Sequence, residues 1–271
     1  MHRRPDDPLP LTGRAVLVVL AHPDDESLAC GGTLARLADL GAHVILLCAT
    51  RGERGGSNGP EKDDELGLRR TQELRAAACA IGIGDVILLD HPDGELRWEH
   101  VPQFHAEIVS AIRRYDPACV ITFGADGLYW HVDHIGVHER TTTAVRSLGA
   151  NAPPLYYVTM PVGIMRPIWE AAMARGWTAP DRGFWSLVPD AFGLHAEPPT
   201  VIVDVKPWVA RKVAAILCHE TQMGVGHPFD LLAPAEAERW LGIEHFHRAA
   251  DDPSTIPVLE QLGEPAHTTS D

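Results

Sequence analysis

The chain has 271 residues, a formal net charge of −14, 45% hydrophobic and 22% charged residues. This is ordinary globular usage and leaves little room for extensive disorder. The acidity argues against a nucleic-acid or anionic-membrane partner, which would call for basic patches. Lys occurs only at positions 62, 206 and 212, and the five cysteines are scattered singly with no Cys-x-x-Cys. Reduced, buried thiols are therefore expected, and with them a cytoplasmic setting. The opening MHRRPDDPLPLTG has no apolar h-region, so no signal peptide is expected, and no apolar run reaches the ~18 residues of a membrane span.

In chain order, RAVLVVL (14–20) is an apolar run with the β-branched content of a buried strand. SLACGGTLARLADL (27–40) has helical spacing and stops at Gly41. HVILLCA (43–49) reads as a strand, followed by a Gly/Asn/Pro loop at 51–60 and an amphipathic helix over 65–80. DVILLD (85–90), a helix at 104–116, ACVITFG (118–124) and a helical pattern at 134–148 continue the alternation. Further strands are expected at 154–160 and 200–205, and a late helix at 206–222. Uniformly apolar strands alternating with helices predict a Rossmann-like α/β fold, a parallel sheet with helices on both faces, whose ligands sit outside the carboxyl ends of the strands. One domain over 1–271 is expected, with its core at about 14–160 and 200–222. A Pro- and Trp-containing insertion at about 161–199 would shape the substrate pocket, and a loose tail would occupy 253–271.

Two stretches carry chemistry. AHPDDE (21–26) follows the first strand, where His22 and Asp25, three apart in a turn, can reach one ion together. Asp24 would then be free to act on a water, while Glu26 supports the turn. The alternative is a helix N-cap, which explains one acid well and three acids with a histidine poorly. HVDH (131–134) follows the fourth strand at the same sheet edge. His134 offers a third ligand, and three protein ligands with an open position define a catalytic zinc site. His131 and Asp133 offer an acid–base imidazole and a carboxylate to orient it. His134 with His138 is a rival ligand pair, weakened by the absence of His-Glu-x-x-His.

Together, AHPDDE behind a strand and HVDH a hundred residues later resemble the LmbE/PIG-L superfamily of zinc-dependent N-deacetylases. The resemblance spans roughly residues 14–222, with Val132 standing where the family's second motif has proline. TRGERG (50–55), RTQEL (70–74), HPDGEL (91–96) and KVAAILCHETQ (212–222) are similar to further family segments. The resemblance implies one Zn2+ per chain, with Fe2+ as an alternative, on His22, Asp25 and His134. It implies Asp24 as general base, with Tyr129 or protonated His131 stabilising the oxyanion and Asp133 orienting His131 and favouring its imidazolium form. Arg70, Glu53 and Asp93 become candidate substrate contacts, and His219 a weaker one. The implied substrate is a small N-acetylated amino-sugar conjugate, with a mycothiol S-conjugate-type amide or a glycopeptide or aminoglycoside intermediate as rivals. A nucleotide-binding α/β module is the rival of another class; CGG (30–32) is not Gly-x-Gly-x-x-Gly and falls inside the first helix. The sequence admits a homo-oligomer without specifying one.

Overall fold

A computed structural model describes residues 10–56, 63–98, 100–181, 184–223, 226–250, 258–262 and 264–265. The N-terminal nine residues and residues 57–60 of the Gly/Asn/Pro loop lie outside that set. Elements run β1 (Ala15–Leu20), α1 (Asp25–Asp39), β2 (His43–Cys48), α2 (Asp63–Ile81), β3 (Asp85–Leu88), α3 (Val101–Tyr115), β4 (Cys119–Phe123) and α4 (Gly127–Trp130). They continue with α5 (Val132–Arg146), β5 (Leu155–Thr159), α6 (Arg166–Ala174), β6 (Val201–Asp204), α7 (Val209–Leu217), α8 (Glu220–Met223), α9 (Pro234–Leu241), β7 (Ile243–Arg248) and β8 (Glu264–Pro265).

The sheet order is β3-β2-β1-β4-β5-β7-β6-β8. The first five strands are parallel, the α/β arrangement expected from their uniformly apolar sequences. Val16–Leu20, Val44–Cys48 and Cys119–Phe123 are almost wholly excluded from solvent, because α1, α2 and α7 pack together on one face and α3 and α5 on the other. The far half departs from the parallel expectation. β7, a strand the sequence pattern does not announce, runs antiparallel between β5 and β6, and β8 closes the edge antiparallel to β6.

Part of the segment expected to be loose is ordered. Val258, Leu259 and Leu262 are buried in the main core, and Glu260 accepts from Tyr156 Oη and pairs with Arg248. Three apolar side chains in five residues supply the burial that holds this piece down, and β8 follows it; residues 253–257, 263 and 266–271 lie outside the described residues. The 161–199 insertion contains α6, whose Ile168 and Ala172 are buried, Ile168 in a second apolar cluster. No described helix is long and apolar enough to cross a membrane, and the five cysteines form no disulfide.

Helix α1 is not straight: Cys30 has φ −150° and interrupts it after its first turn and a half. The amides exposed by the break are met from β7. Glu244 Oε1 accepts from Gly32 N (2.9 Å) and Oε2 from Thr33 N (2.7 Å), while Lys212 Nζ pairs with Oε1 at 2.6 Å. Both side chains are about 95% excluded from solvent, so the pair is balanced only while intact. Glu244→Ala should cost about 3–5 kcal/mol in urea unfolding, because it strands a buried ammonium and two helix amides. Double replacement by Lys212→Met and Glu244→Gln should recover part of that loss.

Candidate metal centre and active site

The edge at which the parallel strands end places the site. β1 and β4 are neighbours, and the order of the chain reverses between them, so 21–26 and 124–134 leave the sheet side by side at a switch point. The loops after β2 and β3 emerge along the same edge.

His22, Asp25 and His134 meet here, all buried. Asp25 Oδ2 accepts from His22 N at 2.7 Å and lies 3.5 Å from His22 Nδ1. Asp25 Oδ1 lies 3.1 Å from His134 Nε2. Burial pushes the Asp25 carboxyl up, but the two imidazoles outweigh it and hold the group well below its ordinary value. The tautomers are set from behind. His134 Nδ1 is 3.2 Å from the Gly127 carbonyl and donates to it, leaving Nε2 facing Asp25. That Nε2 is buried, and with the proton on Nδ1 it meets the Asp25 oxygen as acceptor against acceptor, an arrangement that calls for a cation between them. His22 Nε2 lies 3.1 Å from both Asp133 Oδ2 and Asp93 Oδ1, leaving its Nδ1 toward Asp25. Two imidazoles and a carboxylate with backing acceptors on the outer nitrogens fit a divalent ion of zinc type.

His131 is also close: the ligand atoms of His22, His131 and His134 lie within 4.8 Å of one another. Its ring stacks on His134 with centroids 4.5 Å apart, and its Nδ1 accepts from Asp133 N at 3.3 Å. The expected pairing of the Asp133 carboxylate with His131 is not found. Asp133 Oδ2 accepts from Gly94 N (2.6 Å) and Oδ1 from Leu96 N (3.0 Å), and its remaining contact is His22. The carboxylate turns away because α5 lies directly on the 94–97 backbone; a Cβ at Gly136 would come within 2.9 Å of Leu96 C and Arg97 N. Nor is the imidazolium favoured: burial, then the neighbouring His134 and His22, pull His131 down to about 4. With a metal on His22, as the donor set allows, Asp133→Asn should weaken its affinity by about 10–100-fold, the cost of losing a partner behind a ligating histidine. Chelator competition would read this, with circular dichroism unchanged.

Asp24 begins α1 but does not cap it, since its side chain makes no bond to the helix amides. Its φ of 119° is a strained value for a non-glycine residue. Three contacts hold it there. Glu26 Oε2 accepts from Asp24 N (3.1 Å), Arg70 Nη2 donates to Pro23 O (2.6 Å), and the same nitrogen lies 3.2 Å from Asp24 Oδ2. Burial lifts the Asp24 carboxyl to about 6, with Arg70 offsetting part of the effect. Glu26 is itself fully buried and takes Ser27 Oγ (2.5 Å) and His219 Nε2 (2.8 Å). His219 thus acts behind the site; only its adjacency to Glu26 in space, 193 positions apart, shows it.

The remaining sequence candidates divide. Arg70 lines the cavity, but its guanidinium is committed to Gly52 O, Pro23 O and Asp24. Glu53 Oε1 accepts from Asp93 N at 2.8 Å and braces the 91–96 loop. Asp93 lines the cavity and is held at about 2, where burial is outweighed by His22 and Arg70. Arg54, not singled out from sequence, donates to the Asp93 carbonyl and stands at the cavity wall. Tyr129 lies with its ring 5.4 Å from His134; burial and then Asp25 and Asp24 hold its phenol well above its ordinary value, so it remains a donor. His138 Nδ1 is 2.9 Å from the Phe123 carbonyl, which spends it on the strand end, away from the ligand cluster.

Fold and site together define an α/β enzyme with a histidine–carboxylate centre at the carboxyl edge of a parallel sheet. Residues 17–145, which include both histidine motifs, match the family described as PIG-L: GlcNAc-PI de-N-acetylase. The 1D-myo-inositol 2-acetamido-2-deoxy-alpha-D-glucopyranoside deacetylase of Thermobispora bispora is 32% identical over 278 residues, covering 90% of each chain. The enzyme of that name from Acidothermus cellulolyticus is 31% identical, covering 86% of this chain and 88% of its own. The chain belongs to the PIG-L family of N-deacetylases. Among solved structures, N,N'-diacetylchitobiose deacetylase from Pyrococcus horikoshii superposes with TM-score 0.62 at 19% identity, over 87% of this chain and 84% of that one. The 4-carboxy-2-hydroxymuconate hydratase GalB of Pseudomonas putida gives TM-score 0.61 at 19% identity, over 90% of this chain and 100% of that one. A hydratase and a deacetylase on one fold show that the fold alone does not choose the reaction.

Proposed function

We propose that the protein is a metal-dependent N-deacetylase that hydrolyses the N-acetyl amide of an amino-sugar conjugate, with a glucosamine-type sugar as the amine product. The observation that carries this reading is the buried His134 Nε2, which lies 3.1 Å from Asp25 Oδ1 while Nδ1 is spent on Gly127, so that two acceptors face each other beside His22, with a carboxylate held next to them that caps nothing. His22, Asp25 and His134 would hold one Zn2+, and Fe2+ suits the same donors. When bound, the ion supplies a Lewis acid for the amide carbonyl and makes a nearby water more acidic.

The chain's own residues supply the rest. Asp24, raised toward neutrality by burial, is matched to taking a proton from the attacking water. Arg70 and Glu26 fix the base in its strained backbone, so little reorganisation is left for the reaction. Tyr129, kept protonated, and the His131 ring, both beside His134, would donate to the carbonyl oxygen as it gains charge. The C–N bond then breaks, the water oxygen stays on acetate, and the amine leaves with a proton returned from Asp24 or passed by His131. Arg54 and Asp93 at the wall are candidates for the sugar hydroxyls, while Arg70 and Glu53 act on them indirectly.

The names of the relatives support a GlcNAc conjugate as substrate class. Zinc-loaded protein offered N-acetylglucosaminyl-inositol and simple N-acetylglucosaminides should release acetate and primary amine in equal amounts. No amine from any N-acetylated sugar would overturn the reading.

A further inference from the structure

One wall of the cavity is unlike the centre. Met165, Ile168, Trp185, Phe192, Ile216 and Phe229, drawn from the insertion, α7 and the segment before α9, form an apolar cluster separate from the sheet core. Ile164, Trp177, Phe184, Met223 and Trp240 pack on that cluster and yet remain partly exposed, because they face the cavity that His22, Asp25 and His134 also line. Tyr129 joins the two ends. Its ring is 5.4 Å from His134, 5.4 Å from Phe184 and 5.3 Å from Phe192. Leu28, one helical turn along α1 from Asp24, lies on the same lining.

One polar pair is buried inside this wall. The Trp185 indole N–H donates to His227 Nε2, and burial pulls His227 down to about 3, so the imidazole is uncharged. The cavity measures about 1900 Å³, above the ~300–1,000 Å³ common for small-molecule sites. An amino sugar with a polyol attached would satisfy the polar end and leave the aromatic and aliphatic surface of this wall unmatched. Aromatic and aliphatic surface left facing a cavity is costly in water and is recovered by an apolar ligand.

We propose that this chamber receives an apolar substituent of the substrate, an alkyl or aromatic group joined to the amino sugar whose amide is cut at the centre; this rests on the deacetylase reading above. The group can be delivered from two positions on the sugar, as the aglycone or as an N-acyl chain longer than acetyl, and the chamber's chemistry is the same for both.

Two substrate series separate the sources. One is methyl, phenyl and octyl N-acetylglucosaminide; the other is methyl glucosaminide carrying N-acetyl, N-butanoyl and N-octanoyl groups. kcat/KM from amine release on the zinc-loaded protein should rise by about tenfold or more along one series, a fraction of full methylene transfer. That series identifies the end of the sugar the chamber receives. Trp177→Ala should bring the octyl-to-methyl ratio back toward one, and Phe184→Leu, a milder change should the first fail to fold, should lower it. Val162→Ser, at an exposed position outside the lining, should keep it. Tryptophan fluorescence titration gives binding without turnover. Equal kcat/KM and equal binding along both series would overturn the chamber and leave the deacetylase reading standing. Tighter binding of the octyl compounds with no amide cut in either series would uphold the chamber and overturn the deacetylase reading. Neither binding nor cleavage would overturn both.

Discussion

Asp24→Asn should retain its metal and lose about 10²–10⁴-fold in kcat, the range for removing a positioned general base. Asparagine is the right replacement here. Asp24 sits at φ 119°, and Asn tolerates positive φ about as well as Asp, whereas alanine would add backbone strain to the loss of the carboxylate. Asn keeps an oxygen for Arg70 Nη2, so the contacts that hold Pro23 and Gly52 survive. Metal analysis beside steady-state kinetics checks this. Full turnover in the variant would move the base elsewhere, and loss of metal would mean that Asp24 belongs to the ligand set.

His134→Ala should remove both metal and activity. The side chain is stacked on Phe123 with centroids 3.9 Å apart and is tied to Gly127, so its ring cannot be replaced by a neighbour without rearranging the strand end. After dialysis, metal content should fall from near one per chain toward zero, with kcat/KM at background. The matched His131→Ala variant should keep its metal. If the two results exchange, so that His131→Ala empties the site and His134→Ala does not, the ion is held by His131 in place of His134. That outcome would recast His131 as a ligand.

The five parallel strands were legible because each is an almost unbroken apolar run, a pattern that suits a sheet covered on both faces. β7 was not, since IEHFHR buries Glu244 and Phe246 and leaves His245 and His247 less covered. A buried acid in an alternating run imitates a surface segment until its partners, Lys212 and the amides of α1, are seen. The two motifs told where the centre lies and which residue types compose it. They did not tell which carboxylate stands behind which histidine. Asp133 is adjacent to His131 in the chain, yet its oxygens go to His22 and to amides nearly forty positions earlier. Arg70 shows the same limit: spacing marks it as a charge on an amphipathic helix, and only packing shows that it faces the base.

The anchoring of α1 by Glu244 has a consequence for the order in which the enzyme is made. Every candidate ligand and acid–base residue lies within the first 134 positions, but the helix that carries Asp25 and follows directly on Asp24 is completed by a residue 212 positions after Gly32. A nascent chain that has not yet released β7 holds the whole reactive set without the clamp beneath it, and long-range closures of this kind form late. The clamp beneath the centre therefore cannot close until β7 has been made and paired, well after the residues it supports.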